Sequence, residues 1–238
     1  MIIENNNINI KISKLAVLTS GGDAPGMNAA IRSVARSCSH YGIQCFGVSR
    51  GYQGLIEGKI KPLGTRSVKN ILNKGGTILK SARSKEFMTK EGRLKAHETL
   101  KNQEINNLIV IGGDGSFTGG YIFEKEFGVS VVGIPGTIDN DIFGTDSTVG
   151  YDTALNTVVE AIDKIRDTAI SHNRLFFVEV MGKDAGHIAL NTGIGIGASE
   201  ILIPEKDKGL DKLLKSLKRS KISGRLSSIV VVAEGDKI

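Results

Sequence analysis

Short apolar runs with no polar alternation, most of them closing on glycine, constrain this chain more than any other feature. They fall at residues 15–18, 44–48, 108–111, 129–134, 175–180, 200–203 and 228–232. A strand with one wet face alternates apolar and polar side chains. A run that is apolar on both faces must be covered on both, which is the condition of parallel strands packed between helices. Helices are expected between the runs, at 27–41, 67–73, 90–103, 117–127, 151–171, 185–192 and 210–219. In 151–171, Ala154, Leu155, Val158, Val159, Ile162 and Ile165 recur at helical spacing, with Glu160, Asp163, Lys164 and Arg166 between them. The expected fold is α/β, with open, mainly parallel sheets and helices on both faces.

At 238 residues the chain suffices for one large α/β unit or two smaller lobes. Residues 1–14, rich in Asn and Ile, lack the pattern of a signal peptide and read as a short tail. No apolar run approaches the ~20 residues that span a bilayer, so a soluble protein is expected. Cys38 and Cys45 have no CxxC or His spacing around them and read as buried, inert thiols in a reducing cytoplasm. The net charge of +6 suits either nucleic acid or an anionic small molecule. Dispersed basic residues, 5% aromatics and no Trp weigh against nucleic acid.

In an open parallel sheet ligands gather beyond the carboxyl ends of the strands, and the motifs lie there. The first strand runs into Thr19-Ser20-Gly21-Gly22-Asp23-Ala24-Pro25-Gly26 and then a helix. Glycine lets main chain approach a phosphate, and a helix N-terminus offers free N–H groups. Taken alone, this loop reads equally as a turn capped by Asp23. The strand at 108–111 opens into Gly112-Gly113-Asp114-Gly115-Ser116. That is a bare phosphate cradle with one carboxylate suited to Mg²⁺. Two such loops favour a phosphate site, although no Lys follows the glycines of the first loop, as a Walker-type loop would require.

After the strand at 129–134 comes Pro135-Gly136-Thr137-Ile138-Asp139-Asn140-Asp141. If the segment is extended, Asp139 and Asp141 share a face. Two carboxylates beside a phosphate cradle call for a cation or a proton in transfer: one takes a proton from an attacking hydroxyl, the other helps to hold a metal or its water. Isolated, the same residues read as an acidic turn capping the next helix. Arg83, Arg174 and Lys183 suit phosphate oxygens, but each alone reads as a solvated surface cation. His97 is expected to be exposed on a charged helix, and none of His40, His97, His172 and His187 has nucleophile or metal spacing.

Taken in order, TSGGDAPGMNAAIR from Thr19, GGDGS from Gly112, PGTIDND from Pro135 and VEVMG from Val178 resemble the bacterial ATP-dependent 6-phosphofructokinase family. The likeness runs from about Lys14 to Glu234. NAD and lipid kinases share a GGDG loop but not the other motifs. The resemblance implies a two-lobed kinase that takes ATP, Mg²⁺ and fructose 6-phosphate, with an ATP-binding lobe at 15–150 and part of a sugar-phosphate lobe at 151–238. It implies that Gly22, Arg83, Ser84 and Gly113, Asp114, Gly115 and Ser116 contact ATP, with Asp114 on the metal. Thr137, Ile138 and Asp139 would meet the sugar, Asp139 as base and Asp141 beside it. Met181, Gly182, Lys183 and Glu234 would line the sugar site, and Arg174 would reach a neighbouring subunit in a homo-oligomer, a tetramer in the family's bacterial members. Effector cations would be Arg32, Arg36, Arg66 and Arg166.

Pyrophosphate-dependent relatives carry Asp and Lys where this chain has Gly115 and Gly136, so ATP is the expected donor. Ser199 stands where the family's effector site has Glu, Ser223 where it has Lys, and Lys183 where it usually has Arg, so effector response and sugar-phosphate grip are expected to differ. The resemblance also predicts on the order of 80–100 further residues beyond Ile238, carrying an Arg and His group for the sugar 6-phosphate. The rival expectations are a non-catalytic nucleotide-binding remnant and a pyrophosphate-dependent enzyme.

Overall fold

The computed structural model describes residues 12–206, 209–224 and 228–236. The described chain divides into two compact units. One comprises 12–23 and 27–134; the other comprises 24–26 and the described residues from 135 onward. The division thus falls between Ile134 and Pro135, earlier in the chain than the expected boundary at 150/151, and the tripeptide at 24–26 goes with the second unit.

In the first unit the strands are β1 (Lys14–Ser20), β2 (Gln44–Val48), β3 (Ile60–Pro62), β4 (Asn107–Gly112) and β5 (Ser130–Thr137), ordered β3-β2-β1-β4-β5. β1 pairs in parallel with β2 and β4. β3 runs antiparallel to β2 and was not expected. Its Pro62, which has no N–H to give a ladder, suits an edge. The helices are α1 (Met27–His40), α2 (Gly51–Ile56), α3 (Lys90–Asn102) and α4 (Asp114–Phe127). Ala16, Leu18, Val48, Leu55, Leu100, Leu108, Val110 and Phe123 form the core between strands and helices. Each Val, Leu or Phe among them contributes about 1.5–3 kcal/mol on removal from water.

Two expectations fail here. Residues 67–73 are turns, not a helix: bonds such as Ser67 N to Gly64 O reach only three residues back, and Asn70 has a left-handed φ of 57°. His97 is not exposed: its ring stacks on Phe127, 4.8 Å between centroids, and its Nδ1 is buried with no hydrogen-bond partner. Cys38 and Cys45 are buried free thiols, and burial pushes both pKa values up, away from the reactive thiolate.

α2 was missed because Gly-Tyr-Gln-Gly-Leu-Ile is poor helix material and its entry, Arg50 and Gly51, sits at positive φ. It lies tight against the turn before it, and a Cβ on Gly54 would fall 1.6 Å from the Ser49 carbonyl oxygen.

In the second unit β6 (Val149–Gly150) pairs in parallel with the C-terminal end of β5. Ala24 and Pro25 pack against Gly150, where a Cβ would sit 2.8 Å from the Ala24 Cβ. A separate parallel sheet orders β7 (Leu175–Val180), β9 (Ser228–Ala233) and β8 (Glu200–Leu202) as β7-β9-β8. α5 (Tyr151–Ser171) matches its expected span and packs Ala154, Leu155, Val158, Val159 and Ile162 into a core with Val180, Ile188 and Val231. α6 (His187–Gly195) starts later than expected, behind Gly182 and Lys183 at positive φ, and α7 (Leu210–Ile222) covers β8 and β9 through Leu213. Among the described residues, no helix is long and apolar enough to cross a membrane.

Candidate active site

In the first unit, the parallel register of β1 and β4 sets Ser20 opposite Gly112, so both glycine loops leave neighbouring strands at the same end. Gly112 is required by this closeness: a Cβ there would lie 2.5 Å from the Ser20 carbonyl oxygen and 2.8 Å from Ser116 Oγ. Gly21 is required by its φ of 86°. Gly22 and Gly115 are different, because a Cβ on either would meet nothing within 4 Å and neither has positive φ. The fold tolerates a side chain at both positions, and what their absence leaves is open main chain. α4 follows Gly113 with no side-chain cap; the Ser116 and Phe117 N–H groups already donate to the Gly113 carbonyl, at 3.0 and 3.2 Å, which leaves the N–H groups of Asp114 and Gly115 for an anion. Asp114, in that first turn, is exposed.

α2 braces this region. Tyr52 donates to the Ser116 carbonyl at 2.7 Å and stacks on Phe87 at 3.9 Å between centroids. Burial raises the phenol's pKa, keeping it a donor. Gln53 Oε1 accepts the Ser84 hydroxyl at 2.7 Å, and Ser84 Oγ accepts the Phe87 N–H at 3.1 Å. The Ser84 hydroxyl is therefore committed to protein partners, while Arg83 beside it is exposed. Arg32 is half-buried, and Arg36 and Arg66 are exposed.

The second unit carries the acidic loop. β5 ends at Thr137, and Asn140 adopts a left-handed φ of 54°, so the segment is a turn rather than extended chain. The strand-face argument for Asp139 and Asp141 therefore fails. Asp139 is half-buried, Asp141 is exposed, and Ile138, expected to meet the sugar, packs on the unit's apolar core. Asn140 holds the turn by accepting the Thr148 N–H at 2.8 Å, and Thr148 Oγ1 donates to the Thr137 carbonyl at 2.6 Å. Thr137 Oγ1 in turn accepts the Asp139 N–H at 3.2 Å.

Burial raises the Asp139 carboxyl above the usual aspartate range, with Asp141 and Glu234 adding to the rise. A hydrogen bond from Thr137 and the charge of Lys183 oppose it. Lys183 Nζ lies 3.9 Å from Asp141 Oδ2. Glu234, at the carboxyl end of β9, accepts the N–H of Gly182 at 3.0 Å and of Lys183 at 2.5 Å. Asp139, Asp141, Lys183 and Glu234 thus form one electrostatic cluster around a partly desolvated carboxylate. Such a group can accept a proton near neutrality better than a fully solvated one.

Met181 and Arg174 are exposed at the two ends of β7. Arg166 is engaged, donating from Nη2 to the Ile196 carbonyl at 2.5 Å with Nε 3.6 Å from Asp163. Sequence reasoning missed Tyr52, Gln53, Asn140 and Thr148, whose roles depend on turns that leave no periodic signal.

Residues 14–238 match the phosphofructokinase family. An ATP-dependent 6-phosphofructokinase 2 of Bacteroides thetaiotaomicron is 56% identical over 222 residues, covering 93% of this chain and 68% of the relative. An ATP-dependent 6-phosphofructokinase 1 of Thermus thermophilus is 54% identical over 224 residues, covering 94% and 70%. The solved phosphofructokinase of Saccharomyces cerevisiae superposes with a TM-score of 0.90 at 42% identity, over 94% of this chain and 34% of that one.

Proposed function

From the chain's membership of the phosphofructokinase family we infer that Asp139 is the general base of an ATP-dependent 6-phosphofructokinase. The reaction is phosphorylation of fructose 6-phosphate to fructose 1,6-bisphosphate, with ATP as donor. We assign the nucleotide to the first unit and the sugar to the second.

The main chain around Gly22 and from Gly113 to Ser116 is proposed to grip the triphosphate, through the Asp114 and Gly115 N–H groups in α4, with Arg83 paired to its oxygens. Asp114 fits Mg²⁺, since an exposed single carboxylate beside a glycine loop in which Gly112 admits no Cβ suits a cation that takes one or two carboxylates and fills its shell with phosphate oxygens and water. When bound there, the ion would neutralise charge on the phosphate oxygens.

Asp139 removes the proton of the sugar 1-hydroxyl as that oxygen attacks the terminal phosphorus. The bond to the bridging oxygen breaks and ADP departs with the electron pair. Asp141 and Lys183 set the charge around the base. Thr137, Met181, Gly182, Lys183 and Glu234 hold the sugar. The observation that carries this reading is the half-buried Asp139 with its carboxyl raised by burial and by Asp141. Open space at Gly115, where a Cβ would meet nothing within 4 Å, supports ATP over pyrophosphate, because no acidic side chain there opposes a further phosphate.

An oligomer in which Arg174 serves a neighbouring subunit, a cytoplasmic location, and effector binding through Arg32, Arg36, Arg66 and Arg166 belong to the same proposal. Asp139→Asn tests its centre. Turnover should fall by roughly 10²–10⁴-fold while ATP binding is kept, and retention of most activity would remove Asp139 from the mechanism.

A further inference from the structure

We propose that Asn28 is a positioning residue for the nucleotide, tying the loop that delivers Arg83 to the first turn of α1. Residues 63–85 lie between β3 and a 3₁₀ turn at Glu86–Met88 and contain no helix or strand. A segment of that length without its own ladder must take its order from other contacts. Asn28 supplies three. It is only 1% exposed, its Nδ2 donates to the Lys74 carbonyl at 2.9 Å and the Gly75 carbonyl at 3.1 Å, and its Oδ1 accepts the Ile78 N–H at 2.8 Å. An amide carries donors and an acceptor on one planar group, so no hydroxyl or carboxylate reproduces this set.

The same loop is tied at two further points. Thr19, the penultimate residue of β1, donates from Oγ1 to the Lys80 carbonyl at 3.0 Å and meets Thr77 Oγ1 at 3.0 Å. Ser81 Oγ donates to the Gly21 carbonyl. Gly76 lies so close to the first glycine loop that a Cβ on it would sit 3.6 Å from Asp23 Oδ2. Residues 74–81 are therefore held against the start of the first glycine loop, and Arg83 and Ser84 follow directly. α1, which follows the first glycine loop, thus also fixes, one residue into its first turn, the segment that bears Arg83. Asn28 touches no substrate in this assignment and acts through the loop.

The inference rests on the reading that Arg83 binds nucleotide, and the experiment separates the two. Mg-ATP and fructose 6-phosphate affinities of the 238-residue protein are measured by titration calorimetry for Asn28→Asp, Ser81→Ala and Arg83→Ala, with amide exchange followed at Ile78 and Leu79. Asn28→Asp keeps the shape and loses both donors. It should weaken Mg-ATP by roughly tenfold, speed exchange at Leu79, whose N–H is held only within the loop by Thr77 Oγ1, and leave sugar affinity within about twofold. Ser81→Ala, a milder loosening of the same loop, should weaken Mg-ATP in the same direction and decides the matter if Asn28→Asp does not fold. Faster exchange with unchanged Mg-ATP affinity overturns the proposal. So does an equal loss of ATP and sugar affinity, which marks a general structural defect. If Arg83→Ala weakens ATP but neither tether variant does, only the Asn28 proposal falls. If Arg83→Ala leaves ATP unchanged, the nucleotide reading of the loop falls and the proposal with it.

Discussion

Glu234 Oε1 accepts the Gly182 N–H at 3.0 Å, so a carboxylate at the end of β9 fixes the turn that leaves β7. The turn needs fixing because Gly182 sits at a φ of 145° and Lys183 at 55°, conformations an L side chain adopts at a cost. A hydrogen bond to a charged acceptor contributes about 1.5–3 kcal/mol. Glu234→Ala releases two such bonds and should raise KM for fructose 6-phosphate about tenfold or more, with KM for ATP unchanged. Steady-state kinetics with each substrate varied in turn checks it.

The pH profile carries the signature of Asp139. With Asp139 as the proposed base, turnover should depend on its ionised form and fall as acid protonates it. Because burial and Asp141 raise its pKa, that fall should begin at a higher pH than for an exposed aspartate. Asp141→Asn removes a like charge and should move the acid limb down; Lys183→Met removes an opposite charge and should move it up. The stability sign is opposite to that of a paired carboxylate. A raised folded-state pKa means that ionised Asp139 opposes folding. The stability held while Asp139 is protonated is full below its unfolded value and lost as pH rises through the folded value. Asp139→Asn should therefore keep or raise Tm at neutral pH while turnover falls by roughly 10²–10⁴-fold, as calorimetry and an activity assay on one preparation would report.

Gly115→Asp separates fold from donor choice. A Cβ there meets nothing within 4 Å, and an acidic side chain in the first turn of a helix is favourable by about 0.3–1 kcal/mol. The variant should keep or slightly gain thermal stability while its affinity for Mg-ATP falls at least roughly tenfold through charge repulsion. A loss of Tm alongside ATP affinity would show that the fold, not the ligand, needs this glycine.

Cys38 and Cys45 should resist thiol reagents. Both are buried and both have raised pKa values, so little thiolate forms near neutrality. Titration with a chromogenic disulfide should give no fast phase in the native protein and two thiols after denaturation.

Much of the fold was legible because it obeys the longest-range pattern a sequence carries. β2, β7 and α5 match their expected spans, since doubly apolar runs and the spacing from Ala154 to Ile165 admit few alternatives. What escaped was set by single backbone conformations. Asn70 at a φ of 57° turns 67–73 away from a helix, and Asn140 at 54° bends the acidic loop that an alternating reading would lay flat. α2 escaped because burial and tertiary contacts, not propensity, hold Gly51 to Ile56 in a helix. The glycine loops were visible as motifs. Which of their glycines the fold requires was not, since that depends on Ser20 standing opposite Gly112. Asn28 lay within a conspicuous motif, yet its partners at Lys74, Gly75 and Ile78 are remote in sequence.

Gly54 sets a limit on how this gene can drift. Any first carbon at that position would collide with the Ser49 carbonyl oxygen, and relief would require shifting the short helix that carries Tyr52 and Gln53. An inherited change in that codon would reach nucleotide affinity from a residue no nucleotide touches, and a survey of damaging variants confined to ligand-lining positions would overlook it.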